Sequence, residues 1–448
     1  MRKILQHLLK ILSKIVLWKY KPEIVAVTGS VGKTSAKEAI YRVLKPHFNA
    51  RRNLRNYNNE IGVPLTILDL ETGERSIKKW LKNFLKALAM ILFKTDYPEI
   101  LVLEMGADKP GDIRYLVSFV PIKIAVVTAI GQFPVHLEFF PEKDKLIEEK
   151  AALIETLPKN GLAVLNYDDL SVRDMREKVS KNTKLITYGF GEGANLKISN
   201  YELQIRDLEK NDFGVNFKTE YEGSLVPIRL RKTLGKQHVL AAGAAAAVGL
   251  NFGLNLVDIS SALRKYRPLP GRTNLIKGIK NTWIIDDTYN ASPSAVSAAL
   301  EILNECAAVS EKDQPTFAKA AAGKQKRKIA VLADMLELGQ YAEEAHREIG
   351  KKAASIVDLL FVVGARAQFI ADEAKKHGLS HKKIFEFNEP EKAGLILQEK
   401  LEPGDIILVK GSQSMRMEKV VKEIMAEPEK AKKLLVRQDW KIRGTLDF

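Results

Sequence analysis

The hydrophobic positions of the chain follow two periodicities. Short runs rich in Val, Ile and Leu at 23–27, 100–103, 123–128 and 162–165 read as buried strands. Helical spacing lies between several of them. Parallel strands need such crossovers, so a mainly parallel α/β sheet is predicted. Residues 196–232 alternate and carry β-formers, which predicts antiparallel strands, and an Ala-rich helix over 239–250 follows. Pro268-Leu269-Pro270-Gly271-Arg272 has the turn chemistry of a linker. Beyond it, runs at 283–285, 328–332, 359–363 and 405–409 alternate with helical stretches and predict a second, Rossmann-like α/β domain. Residues 308–328, rich in Lys, Gln and Ala with little periodicity, read as a mobile surface insertion.

Two further helices are basic and amphipathic. In 1–18, Leu5, Leu8, Leu9, Leu12, Ile15 and Val16 share one face, and Lys3, His7, Lys10 and Lys14 lie opposite. In 75–94, Ile77, Trp80, Leu81, Phe84, Leu85 and Leu88 form the stripe, with Lys78, Lys79, Lys82 and Lys86 on the polar side. Each reads either as a helix docked on the protein's own core or as one lying on a membrane surface or a partner. Lys10 and Lys14 interrupt any signal-peptide core, and no run of apolar residues reaches spanning length.

Composition narrows the setting. A chain of 448 residues is too long for one ordinary core. Its single cysteine, Cys306, excludes a disulfide framework and a Cys-rich metal site, as fits a reducing cytoplasm. The net charge of +16 allows nucleic acid, an anionic membrane or acidic small molecules as partners. No Lys/Arg run is interleaved with aromatics, so nucleic acid is not expected.

The chemistry begins at Thr28-Gly29-Ser30-Val31-Gly32-Lys33-Thr34, which directly follows the first strand and precedes a helix at 35–44. Strand, glycine loop and helix are the context of a phosphate-binding loop. Gly29 and Gly32 let backbone N–H groups turn towards phosphate oxygens, and the helix N-terminus adds partial positive charge. Lys33 reaches the β- and γ-phosphates, Thr34 ligates Mg²⁺, and Ser30 and Ser35 complete the cradle. ATP and Mg²⁺ are the expected ligands. The expected organisation is an N-terminal helix (1–22), a P-loop central domain (23–269), the Rossmann-like domain (270–426) and a helical tail (427–448).

The loop's short spacing resembles that of the Mur ligase family, and six more segments in order are similar to its MurF-type members. They are Asn58-Asn59-Glu60-Ile61-Gly62-Val63-Pro64, Val102-Leu103-Glu104-Met105-Gly106-Ala107, Val135-His136-Leu137-Glu138, Asp286-Asp287-Thr288-Tyr289-Asn290-Ala291, Ala333-Asp334-Met335-Leu336-Glu337-Leu338-Gly339 and Lys410-Gly411-Ser412. The resemblance implies that a carboxylate attacks the γ-phosphate of ATP to give an acyl phosphate, which an amine then attacks. It implies that Thr34 and Glu104 hold one Mg²⁺ and that His136 helps hold a second. Lys150, in Glu148-Glu149-Lys150-Ala151, matches a carbamylated lysine that binds Mg²⁺; Lys143 and Lys145 are close enough to compete, and an ordinary surface lysine is the plain alternative. Arg272 would meet the γ-phosphate and Asp287 the ribose or a Mg²⁺-bound water, against a salt bridge at the domain boundary. Asn290 would position nucleotide or substrate, and Asn58, Asn59, Lys410 and Ser412 would line the substrate side.

Some positions depart from the family pattern. Gly235-Lys236-Gln237-His238 replaces Gly-x-His-Asn and Ala241 replaces Asn, so adenine contacts should differ. Asp108-Lys109 replaces Asn-His, Ser292 replaces Asn and Gln413 replaces Arg. Only 22 residues precede the first strand, where the family has a domain for a UDP-sugar. The leading expectation is addition of D-Ala-D-Ala to a muramoyl-tripeptide precursor of peptidoglycan by a cytoplasmic monomer acting on small-molecule substrates. The alternatives are a Mur-like ligase for another wall polymer, a poly-amino acid or a folate, and a non-catalytic nucleotide-binding protein. The inner face of the membrane is the alternative location.

Overall fold

The computed structural model describes residues 2–54, 57–312 and 326–438. Helix α1 (Arg2–Tyr20) leads into β1 (Glu23–Thr28) and α2 (Lys33–Leu44). Next come β2 (Ala50–Arg52), α3 (Gly62–Ile67), α4 (Ile77–Leu92), β3 (Ile100–Glu104), α5 (Asp112–Val117) and β4 (Ile124–Val127). Helix α6 (Lys143–Glu155), β5 (Leu162–Asn166), α7 (Leu170–Arg173) and β6 (Lys184–Gly189) continue the parallel part. An antiparallel meander of β7 (Leu196–Asp207), β8 (Asp212–Tyr221) and β9 (Ser224–Arg231) extends the sheet, and α8 (Lys236–Asn251) and α9 (Leu256–Leu263) close this half. The nine strands run in the order β2-β3-β1-β4-β5-β6-β7-β8-β9.

The second sheet begins with β10 (Asn274–Lys277) and β11 (Trp283–Asp287). Helix α10 (Pro293–Lys312), β12 (Lys328–Ala333), α11 (Ala342–Ala354), β13 (Leu359–Val363), α12 (Gln368–Lys376) and β14 (Ile384–Phe387) follow. The fold ends with α13 (Pro390–Lys400), β15 (Ile406–Lys410), α14 (Glu418–Ile424) and the short α15 (Ala431–Leu434). The order is β10-β11-β15-β12-β13-β14, parallel except for the edge strand β10. The chain is therefore the α/β protein that the sequence predicts, with a mainly parallel P-loop sheet followed by a Rossmann-like one.

Period-two alternation explains how both faces of the first sheet are filled. Val25 and Val27 of β1 belong to one core cluster with α2 and α8, while Ile24 and Ala26 belong to the cluster beneath α1, α3, α4 and α6. The first cluster runs on through α10 into the second sheet, so the two halves share apolar contact. Tyr201 Oη donates 2.8 Å to Glu305 Oε2 across the same boundary.

Two expectations need correction. The stripes of the two basic helices are split. On α1, Leu9, Val16 and Leu17 are buried, whereas Leu8 and Ile15 point outward with Ile4, Ile11 and Trp18. On α4, the core takes Ala87 and Met90, while Ile77, Leu81, Leu85 and Leu88 are exposed. Both helices are apolar over a wider arc than the sheet covers. Of the insertion, residues 308–312 continue α10 and Lys328 opens β12, and residues 313–325 lie outside the described residues. Of the tail, the described part holds a single turn at Pro428–Lys430 and α15, and residues 439–448 lie outside the described residues.

Candidate active site

The P-loop grows from the end of β1, the third strand of the sheet and the neighbour of β3, where all neighbouring parallel strands point their carboxyl ends. Gly29 has φ 141° and a Cβ there would stand 2.1 Å from Thr128 Oγ1, so only glycine fits. Gly32 has φ 86° and caps α2. Ser30 N and Val31 N donate to Ala129 O, and Thr128 Oγ1 donates to Val31 O at 2.7 Å. These bonds tie the loop to the end of β4.

Two lysines meet on one loop carbonyl. Lys33 Nζ donates to Gly29 O at 2.8 Å and to Ser30 O at 3.2 Å. Lys150 Nζ, fully buried on α6, donates to the same Gly29 O at 3.2 Å. Burial, with the Lys33 charge behind it, pulls the Lys150 pKa down to about 7. Burial also lowers that of Lys33, against the pull of Glu104. The neighbouring Glu149 fixes the pitch of α6 by accepting from Gly111 N, Ile113 N and Arg114 N at the start of α5. The competitors are elsewhere: Lys145 is exposed and paired with Glu148, and Lys143 is only half-buried.

Glu104 ends β3 in register with Val27, which sets it beside the loop. It is buried, accepts from Asn58 Nδ2 at 3.2 Å and lies 3.9 Å from Lys37 Nζ. Asn53, which no motif singles out, holds its backbone on both sides through Glu104 N and Glu104 O. Asn59, expected on the substrate side, shapes the local backbone. Its Oδ1 accepts from Ile61 N and Gly62 N and starts α3.

The second half reaches back over the loop. Arg272 Nη2 donates 3.2 Å to Thr34 Oγ1, and its guanidinium stacks 3.8 Å from the Tyr289 ring. A polar relay fixes the backbone that carries it. Tyr266 Oη stands 2.9 Å from His238 Nδ1, and His238 Nε2 stands 3.2 Å from Arg272 O. Burial drives the His238 pKa down to about 4, so the ring is neutral, donating from Nε2 and accepting at Nδ1. Ser35, on α2, stands beside the Tyr266 hydroxyl at the other end. Thus the His238 that departs from the family pattern connects the P-loop helix to the linker arginine.

His136 and Glu337 face each other across the two halves, and both are held at positive φ, 70° and 64°. Their Nδ1–Oε2 contact is 2.8 Å, and the imidazole holds the Glu337 carboxyl below its usual range. Asp108 lies 3.6 Å from the other ring nitrogen. The pair is a close polar contact by distance, and its geometry leaves His136 Nδ1 without a hydrogen bond. Glu337 sat inside a recognised segment, yet nothing local told of its partner.

Four of the remaining candidates are engaged within the second half. Lys410, expected on the substrate, is buried and donates 2.6 Å to Asp287 Oδ2 and 2.8 Å to Asn290 O. The other Asp287 oxygen accepts from Thr273 N, so the pair also orders the linker. Asn290 Oδ1 accepts from Ala291 N and Gln413 N, and Ser412 Oγ accepts from Leu336 N at 2.8 Å.

The matches to known proteins agree with this layout. Residues 27–249 match the Mur ligase middle domain, and residues 271–413 match the Mur ligase glutamate ligase domain. The chain is 30% identical over 420 residues to the UDP-N-acetylmuramoyl-tripeptide--D-alanyl-D-alanine ligase of Bacillus subtilis (strain 168), covering 93% of this chain and 79% of that one. The chain belongs to the Mur ligase family. The ligase of the same name from Escherichia coli (strain K12) is 27% identical over 90% of this family member and 76% of its own length. Among solved structures, MurF from Acinetobacter baumannii superposes with TM-score 0.73 at 25% identity, over 93% of this chain and 79% of that one. MurF from Thermotoga maritima in complex with ADP gives 0.71 at 27% identity, over 95% and 84%.

The residues present fit the ligands of a Mur ligase. Ser30 Oγ and Arg272 Nε are buried without a partner, one on the loop and one facing it from the linker, as donors for phosphate oxygens would be. Among the described residues no group of three or more His, Cys, Asp or Glu could hold a metal alone. A Mg²⁺ here would take Thr34, Glu104 and phosphate oxygens, the oxygen-rich set that Mg²⁺ prefers.

Proposed function

We propose that the chain is an ATP-dependent carboxylate–amine ligase that joins D-Ala-D-Ala to a UDP-N-acetylmuramoyl-tripeptide in peptidoglycan synthesis, releasing ADP and phosphate. The observation that carries the reading is the convergence of Lys33, Lys150 and Arg272 from three separate elements on one P-loop, in a chain that aligns with UDP-N-acetylmuramoyl-tripeptide--D-alanyl-D-alanine ligases along most of its length. A substrate carboxylate oxygen attacks the γ-phosphorus and ADP leaves. The dipeptide amine then attacks the acyl carbon, phosphate leaves, and the amine loses a proton to solvent. Lys33 and Arg272 stabilise the charge that builds on the transferred phosphoryl group. When bound, Mg²⁺ neutralises phosphate charge; Thr34 and Glu104 would hold one ion, and His136 would help with a second.

Lys150 fits carbamylation better than its neighbours do, because it alone is buried at the loop and its lowered pKa leaves neutral amine near pH 7. The nitrogen attacks CO₂, a C–N bond forms and a proton passes to water, giving an anion that can hold Mg²⁺. The site elements come from one polypeptide, which supports a monomer as the working unit. ATP and UDP-linked precursors are cytoplasmic metabolites, which supports the cytoplasm as the setting.

The acyl-phosphate route has a direct test. The acceptor, labelled with ¹⁸O in its carboxylate, is turned over with ATP and D-Ala-D-Ala, and the phosphate released is analysed by mass spectrometry. One labelled oxygen per phosphate is expected. Unlabelled phosphate, with the label kept in the product, would show that the carboxylate never attacked phosphorus.

A further inference from the structure

The largest unexplained feature lies away from the ATP site. Eleven of the eighteen exposed large apolar side chains among the described residues lie on α1, on α4 or at the end of α4. On α1 they are Ile4, Leu8, Ile11, Ile15 and Trp18, spaced as one helical stripe, with Trp18 78% exposed. On α4 they are Ile77, Leu81, Leu85, Leu88 and Leu92, a second stripe, with Ile77 85% exposed. Soluble monomers seldom expose contiguous apolar surface of this extent without using it.

The two stripes adjoin. Lys19 Nζ donates to Met90 O, Ile91 O and Phe93 O, and Tyr20 Oη donates to Met90 O, so the C-terminal ends of both helices are clamped together. Trp18, Leu92 and Phe93 are exposed around that junction. Charge then chooses among occupants. Residues 1–22 and 75–94 contain twelve of the chain's 71 Lys and Arg residues and none of its 55 Asp and Glu residues. Lys3, Lys14, Lys78 and Lys82, beside the stripes, are exposed. On the helical wheel each apolar stripe lies between the side facing the core and the side carrying the lysines. A second copy would bring like charges together, and a neutral apolar partner would leave the lysines unanswered. An anionic bilayer satisfies both halves: acyl chains take the stripe and headgroups take the ammoniums.

We infer that α1 and α4 form one interfacial surface that seats the protein on an anionic lipid bilayer. The helices lie on the interface, since no described helix is long and apolar enough to cross a membrane. The surface covers one face of the first sheet, and the P-loop opens at the carboxyl ends of its strands. Seated this way, the protein keeps its ATP site open to water while standing at the membrane. The inference rests on surface chemistry alone and is independent of which acceptor is ligated.

The full chain is mixed with phosphatidylcholine vesicles with and without phosphatidylglycerol, and bound protein is measured by flotation. Binding is expected only with phosphatidylglycerol, with a blue shift of Trp18 emission that Trp18→Phe removes. The triple variant Ile77→Gln, Leu81→Gln, Leu85→Gln and the pair Lys78→Gln, Lys82→Gln should each weaken binding about tenfold or more, with ATP turnover unchanged as proof of folding. No flotation with phosphatidylglycerol overturns the inference. So does equal flotation on both vesicle types, or binding that survives both sets of substitutions. Sedimentation velocity gives the other occupant its chance: self-association that the triple variant abolishes, without vesicle binding, would make a second copy the partner.

Discussion

Replacing Lys150 by methionine should abolish turnover and yet make the protein more stable. The Lys150 ammonium is fully buried, and burial together with the neighbouring Lys33 charge lowers its pKa from 10.5 to about 7. At ~1.4 kcal/mol per pKa unit, holding it there costs the fold up to about 5 kcal/mol while the unfolded lysine is charged. Gly29 O keeps Lys33 as a donor at 2.8 Å, so the substitution orphans no acceptor. Exchanging a buried charge for an apolar chain of similar volume should therefore gain about 1–4 kcal/mol. The sign fixes a pH window. Below pH 7 the lysine is protonated in both states and the whole penalty applies. As pH rises from 7 towards 10.5 the folded lysine is neutral, and the penalty fades as the unfolded one loses its proton too. Urea unfolding in CO₂-depleted buffer without nucleotide, at about pH 6 and about pH 10, reads both quantities. A variant less stable than the parent at both pH values, or a gain of the same size at both, would refute the reasoning.

Three more outcomes follow from the geometry. Lys33→Ala should lower turnover by roughly 3 kcal/mol or more of transition-state stabilisation; phosphate release near the parent rate would remove Lys33 from the phosphate site. Arg272→Ala should reduce kcat by about a hundredfold while changing ATP affinity far less, because the phosphoryl charge grows in the transition state. Equal loss in both, measured by steady-state kinetics and nucleotide titration, would make Arg272 a plain binding group. His238→Phe strands the Tyr266 hydroxyl and the Arg272 carbonyl, so it should cost about 2 kcal/mol in urea unfolding and lower kcat through Arg272. An unaltered unfolding midpoint would dissolve the relay.

Local signals carried much of this protein. The P-loop was legible because a strand, two glycines at fixed spacing and a helix are contiguous, and each has a physical reason to be there. The buried parallel strands were legible as β-branched runs. The short strands β2, β10 and β14 at or near sheet edges were not, since three or four residues hold too little alternation. The site contacts between the halves were invisible for a different reason. Arg272 and Thr34 are 238 residues apart, and only the closed tertiary structure makes them neighbours. Lys410 is a second case: its ion pair with Asp287, 123 residues upstream, leaves no local trace in the sequence. The split stripes of α1 and α4 were ambiguous because a helix that is apolar over most of its circumference does not say which arc the core will take.

The most direct measurement of the central claim is ADP formation by the purified full chain, offered ATP and Mg²⁺ with UDP-N-acetylmuramoyl-tripeptide, with D-Ala-D-Ala, with both and with neither. The account predicts ADP and phosphate only when both are present, with one molecule of UDP-N-acetylmuramoyl-pentapeptide for each ADP. ADP released with D-Ala-D-Ala alone or without any acceptor, or no pentapeptide with both substrates present, would contradict it.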